Sequence, residues 1–98
     1  IVYCSDTAVC KNDLLLAKDA DMLIHECAFM PGETSTWGHT NPEEAAGLAV
    51  QAKVKKLVLT HFAAARYDTL AVRKQSEAVA QAIFPNTIAA TDGLVLTI

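Results

Sequence analysis

Ninety-eight residues, 52% of them hydrophobic and 19% charged, have the balance of one ordered domain with a modest core, not of a disordered chain. A net charge of −3 argues against a general nucleic-acid-binding surface, which needs a basic patch, although a basic part elsewhere in a larger protein is compatible with it. No apolar run can span a bilayer and the first ten residues lack a basic n-region, so neither an anchor nor a leader is expected.

The chain opens on strand-like "IVYCSD", without an initiator Met or a polar lead-in, and so reads as a piece of something longer. Asn12 to Ala20 follows with the apolar content of a helix. "MLIHEC" is the second strand-like run. A long loop from about Phe29 to Thr40 carries Pro31, Gly32, Trp37 and Gly38, and long ordered loops in small domains are often functional. Pro42 to Ala52 is a helix with a readable start: Asn41 as N-cap, Pro42 at the first helical position and Glu44 placed to reach back to the cap. "KLVLTH" is the third strand. Asp68 to Phe84 sets Val72, Ser76, Val79 and Ile83 at spacings of three and four, on one helical face. "TIAAT" is the fourth strand, and Asp92-Gly93 then signals a tight turn into "LVLTI".

Strands alternating with helices predict an α/β fold of mostly parallel βαβ units with right-handed crossovers, ending in an antiparallel hairpin. Cys4, Cys10 and Cys27 form an odd set without CxxC spacing. Neither a disulfide framework nor a zinc knuckle is expected, and reduced thiols in a cytoplasmic protein are the simpler reading.

In parallel α/β sheets ligands gather outside the carboxyl ends of the strands. Here those ends carry Ser5-Asp6-Thr7, His25-Glu26 and Thr60-His61-Phe62, and the long loop delivers His39 in "WGHTNP". Taken singly, each residue has an ordinary job: Asp6 could cap the first helix, His61 could close a strand, and His39 could order the Asn-Pro helix start. Independent jobs would scatter these residues over both edges, whereas all three histidines, an Asp and a Glu share one. Imidazole and carboxylate suit Zn²⁺ and the hydrolytic chemistry it supports. His25 and Glu26, adjacent on a strand, would point to opposite faces, so one of them is expected to serve as an acid/base or supporting group. Ser5 sits on no Gly-x-Ser-x-Gly turn, which weakens a serine triad.

In order along the chain, "VYCSDT", "DMLIHECAF", "WGHTNPEEAA", "KLVLTHFAAARYD" and "TIAATDGLVLTI" resemble the C-terminal half of the metallo-β-lactamase superfamily, in particular ribonuclease Z and its arylsulfatase-like and phosphodiesterase-like relatives. The resemblance covers nearly all of residues 1–98 and implies one half of a four-layer αββα sandwich. It implies metal ligation by Asp6, matching the family's Gly-Asp-Thr aspartate, and by His61, matching its "LTHF" histidine. His25 and Glu26 match the opening of its His-Glu-Ala-Thr motif and His39 the histidine of its His-Ser-Thr motif. These three are the implied catalytic residues, with His39 protonating the leaving group and Glu26 assisting. Ser5 stands where Gly is usual, Cys27-Ala28 replaces Ala-Thr, and Thr40 replaces Ser.

The His-x-His-x-Asp-His motif that supplies most of the family's metal ligands is not in these residues. The resemblance therefore implies a missing N-terminal half with that motif, and a bare sheet face expected either to pair with that half or to associate with a second copy of the chain as a homo-oligomer. The intact protein is expected to be a phosphodiester hydrolase using a hydroxide activated by two zinc ions, with Mn or Fe as substitutes, on RNA or a small ester. Residues 1–98 alone are expected to hold no tight dinuclear centre and to be inactive. Three alternatives stay open: an arylsulfatase-like or other small-ester hydrolase, a non-catalytic α/β interaction module, and a thiol role for Cys4 and Cys27.

Overall fold

Short runs of branched and aliphatic residues build the sheet: β1 Val2–Cys4, β2 Leu23–Glu26, β3 Leu57–Thr60 and β4 Thr87–Ala89. The structure is a computed structural model that describes residues 1–34 and 37–98; Ser35 and Thr36, within the expected long loop, lie outside the described residues. All strand pairs are parallel and the spatial order is β1-β2-β3-β4, the order of the chain itself. With sequential order and right-handed crossovers, the three connecting helices fall on one face of the sheet.

The register sorts the side chains. Leu23, Leu57 and Thr87 form one row and Cys4, His25, Leu59 and Ala89 the next, all buried. Alternation sends Tyr3, Ile24, Val58 and Ile88 to the opposite face, where Tyr3 is exposed, Ile24 and Ile88 are half-buried and Val58 is buried. Glu26 and Thr60 continue that second row.

Among the helices, α1 Lys11–Ala17, α2 Pro42–Ala52 and α3 Leu70–Gln81, the middle one is the most deeply set. It packs between the other two and buries Ala45, Ala46, Leu48, Ala49 and Ala52. Small side chains allow this close approach, and the methyl groups add to a core of Leu23, Cys27, Leu57 and Leu59. The expected cap is present: the Glu44 amide donates to Asn41 Oδ1 at 2.8 Å, and the Asn41 amide to Glu44 Oε2 at 3.3 Å.

Two helices are shorter than their periodicity predicts. The first ends at Ala17, not Ala20, and its N-cap is Cys10, whose amide donates to Asp13 Oδ2 at 3.1 Å. Asp6 therefore caps nothing. The third spans Leu70–Gln81 instead of Asp68–Phe84, starts on Thr69, and leaves Ile83 outside the helix and 43% exposed.

The closing hairpin does not form. The Leu94 amide donates to the Thr91 carbonyl at 3.0 Å, so the turn exists, but residues 94–98 take no strand conformation. The outer edge of β4 is already engaged: Gln81 Nε2 donates to the Thr87 carbonyl at 2.9 Å, and the Ala89 amide donates to Glu77 Oε2 at 2.7 Å. Side chains of α3 thus occupy groups that an antiparallel neighbour would need, one of the ways proteins close a sheet edge.

Candidate metal and acid-base site

The carboxyl ends of β1 and β3 both turn sharply. Asp6 lies two residues past β1 with φ 50°, and His61 directly follows β3 with φ 53°. This left-handed region is uncommon outside glycine, although Asp and His are among the residues found there. The bend carries both side chains onto the rim, where His61 Nε2 stands 3.4 Å from Asp6 Oδ1. His39 arrives from the loop ahead of α2, its ring 5.9 Å from that of His61 between centroids and tilted by 32°. One ligand atom from each of Asp6, His39 and His61 lies within 4.8 Å of the others.

Behind them sits Glu26, fully buried at the end of β2. Its two oxygens gather four donors. Oε1 accepts from the Thr7 amide at 3.1 Å and from His39 Nδ1 at 2.5 Å. Oε2 accepts from the Ala28 amide at 2.9 Å and the Thr40 amide at 3.1 Å. The Thr40 hydroxyl donates to the Thr7 carbonyl at 2.6 Å, tying the first loop to the start of α2. With Nδ1 engaged, His39 keeps Nε2 for chemistry, and the carboxylate sets the plane of its ring.

His25, the other residue expected to be catalytic, does not stand with this group. The strand runs through Glu26, so alternation turns His25 to the helix face while Glu26 points to the opposite one. His25 is fully buried; its Nδ1 donates to the Glu26 carbonyl at 2.9 Å, and its Nε2, without a hydrogen-bond partner, lies 3.8 Å from Asp13 Oδ2. It braces β2 against α1.

The loop after β2 is fixed from below. The Tyr67 hydroxyl donates to the Phe29 carbonyl at 2.6 Å and lies 2.9 Å from Ser76 Oγ, and the Phe29 ring meets His39 edge-on at 5.5 Å. Burial raises the Tyr67 hydroxyl above its usual range, so it stays protonated to donate. Arg66 holds Glu33 through Nε at 2.8 Å and lies over the Phe29 ring at 5.4 Å. That hydrogen bond keeps the Glu33 carboxyl below its ordinary range. Phe29, Trp37, His39 and Arg66 line a cleft of about 300 Å³ beside the rim.

The cysteines are all free. Burial pushes the Cys4 thiol to about 11, with the nearby Asp13 charge adding to it, and burial likewise pushes Cys27 to about 12. Neither forms a thiolate near neutral pH, which removes the support for a thiol role.

Of the residues expected from the sequence, the structure brings Asp6, Glu26, His39 and His61 together, and it adds Thr40, whose amide and hydroxyl tie the two loops to one another. Only its place next to His39 could have pointed to it. Chemically, two imidazoles and a carboxylate fit a divalent ion such as zinc, and three protein ligands with an open position is the usual pattern of a catalytic zinc site.

Sheet and rim together define a class: α/β proteins of the metallo-β-lactamase fold, with imidazole and carboxylate side chains presented at the carboxyl edge of a parallel sheet. The fold is that of YhfI from Bacillus subtilis, a metallo-β-lactamase fold protein, with a TM-score of 0.81 and 28% identity over 94% of this chain and 37% of that one. Within the class the chain belongs to the beta-lactamase superfamily domain family, which residues 1–62 match. It is 44% identical to ribonuclease Z of Gemmatimonas aurantiaca over 95% of its own length, and 42% identical to ribonuclease Z of Bacillus licheniformis over 94%. The chain spans about 30% of the length of either relative.

Proposed function

We propose that residues 1–98 are the C-terminal half of a metal-dependent hydrolase acting on phosphodiesters in the manner of ribonuclease Z. The observation that carries this reading is the Glu26–His39 pair standing beside Asp6 and His61. Asp6 and His61 would hold the metal, zinc by the chemistry of the donors, with two ions in the whole protein once a His-x-His-x-Asp-His segment contributes the rest. A divalent ion there supplies Lewis-acid activation of water and neutralises charge on a phosphoryl oxygen.

The remaining steps belong to the protein. Glu26 orients the His39 ring, and His39 Nε2 delivers a proton to the departing oxygen. Phe29 packs against the ring and excludes water from one side of it. The cleft by Trp37 and Arg66 offers room for the group on the far side of the scissile bond. The three free thiols support a cytoplasmic location.

The test uses the longer protein that carries the His-x-His-x-Asp-His segment, offered bis-p-nitrophenyl phosphate and p-nitrophenyl sulfate in parallel. Preference for the phosphodiester is expected, with kcat falling at least 100-fold in His39→Ala, within the range for loss of a general acid. Preference for the sulfate would favour the arylsulfatase-like reading instead. No turnover of either would favour a non-catalytic module.

A further inference from the structure

We infer that Tyr67 is a positioning residue for His39: its hydroxyl, anchored to α3 by Ser76, fixes the start of the loop between β2 and α2 so that the imidazole keeps its place on Glu26.

Tyr67 stands toward the far end of the connection that His61 opens, between β3 and α3. It is buried, and its ring packs on Phe62 with centroids 4.7 Å apart. A phenylalanine would make the same packing, so the hydroxyl is what needs a reason, because burying it without partners is costly. It has partners on both sides. Its one proton goes to the Phe29 carbonyl at 2.6 Å, which leaves the fully buried Ser76 hydroxyl, at 2.9 Å, as donor to the Tyr67 oxygen. Helix α3 is thereby tied to a backbone group of the loop after β2.

From Phe29 two routes lead to His39. The Phe29 ring meets the imidazole edge-on at 5.5 Å, with the Arg66 guanidinium 5.4 Å from the same ring. The Phe29 amide donates to the Thr40 carbonyl at 3.1 Å, and the Thr40 amide donates to Glu26 Oε2 at 3.1 Å. Thr40 is the chain neighbour of His39, so both members of the Glu26–His39 hydrogen bond depend on where Phe29 sits. Without the Tyr67 proton, the Phe29 carbonyl keeps only the Cys27 thiol, a weak donor with its sulfur 3.8 Å away. The loop is then free to shift, and a displacement of about 1 Å can cost roughly 100-fold in rate. The effect on rate rests on the hydrolytic reading, in which His39 gives the proton; the effect on the ring does not.

The experiment has two arms. In the 98-residue chain, NMR of ¹⁵N-labelled imidazoles follows exchange with water of the Nδ1 protons of His39 and His25. The His25 proton, bound to the Glu26 carbonyl in the core, reports whether the fold is intact. Tyr67→Phe should speed exchange at His39 by about 10-fold, the order expected when one hydrogen bond that holds a loop closed is lost, and leave His25 unchanged. In the longer protein the same variant should lower kcat on bis-p-nitrophenyl phosphate by about 10-fold with KM little altered. Ser76→Ala should move both readouts in the same direction and by less. Equal changes at both histidines, or none at His39, would overturn the inference and leave the hydrolytic reading standing. So would turnover by Tyr67→Phe at the unaltered rate, and so would an unaffected His39 in Ser76→Ala, even if Tyr67→Phe failed to fold. If the longer protein turns over neither the phosphodiester nor the sulfate, the hydrolytic reading falls and the imidazole arm alone decides.

Discussion

Glu26 is the residue on which the site depends most, because nothing about it is redundant. Four donors from three separate stretches of chain meet two oxygens that no solvent reaches. Glu26→Gln replaces one acceptor oxygen with an NH₂ group, so at least one donor faces another donor in a buried place. Such a mismatch costs about 1–3 kcal/mol. Urea unfolding should show a loss of that size with an unchanged m-value, and a variant as stable as the unaltered chain would show that the donors are not all made. The sequence made the His25–Glu26 pair conspicuous because a charged residue ended an apolar run. Alternation along a strand also held the answer to its ambiguity: one member had to face the helices, and His25 does. What no pattern in the sequence conveyed was the left-handed backbone at Asp6 and His61, since Asp and His reveal nothing of their φ from composition.

Elements were legible where their ends carry chemistry and less so where only periodicity spoke. Both bounds of α2 follow from the sequence because Asn41, Pro42 and Glu44 mark the start and a helical run of small residues leads to Lys53, which leaves the helix at φ 55°. Removing the cap should show its worth. Asn41→Ala deprives the Glu44 amide of its acceptor and should lower stability by about 1 kcal/mol, while Asn41→Asp should keep most of it. A thermal melt that ranks the two equally would contradict this. By contrast, the face of Val72, Ser76 and Val79 extends in sequence to Ile83 although the helix stops at Gln81. The Asp-Gly signal near the end was read correctly as a turn and wrongly as a hairpin. Turn chemistry says that a chain reverses; it does not say whether the edge it returns to is free, and Glu77 and Gln81 had taken it.

At the scale of the whole molecule, helices cover one face of the sheet and the family's second layer is not among these residues. Ile1, Tyr3, Val95 and Ile98 are between 61% and 86% exposed, and Leu15 and Leu16 on α1 are more than 60% exposed. Apolar surface of this kind seeks cover. We expect it to be met by the remainder of the fold in the longer protein and by a second copy in the 98-residue chain. Sedimentation velocity should therefore show concentration-dependent association of the short chain, and a clean monomer at high concentration would count against it. No helix among the described residues is long and apolar enough to cross a membrane. The general plan of the sheet was readable because alternating strands and helices admit few topologies; the second layer expected on the other face was implied only by the family resemblance.

The left-handed positions at Asp6 and His61 bear on how such a site persists. A side chain in that conformation costs the fold roughly 1–2 kcal/mol that glycine would not, and glycine in turn costs about 0.4–1 kcal/mol by loosening the unfolded chain. On these figures glycine is favoured by up to about 1.6 kcal/mol, so the stability of the fold gives no reason to keep a side chain at either place. A core leucine is held by packing whatever the protein does. On the proposed function, Asp6 and His61 would be held by their chemistry and not by the fold, and a lineage that stopped using the metal could lose both without its fold registering the change.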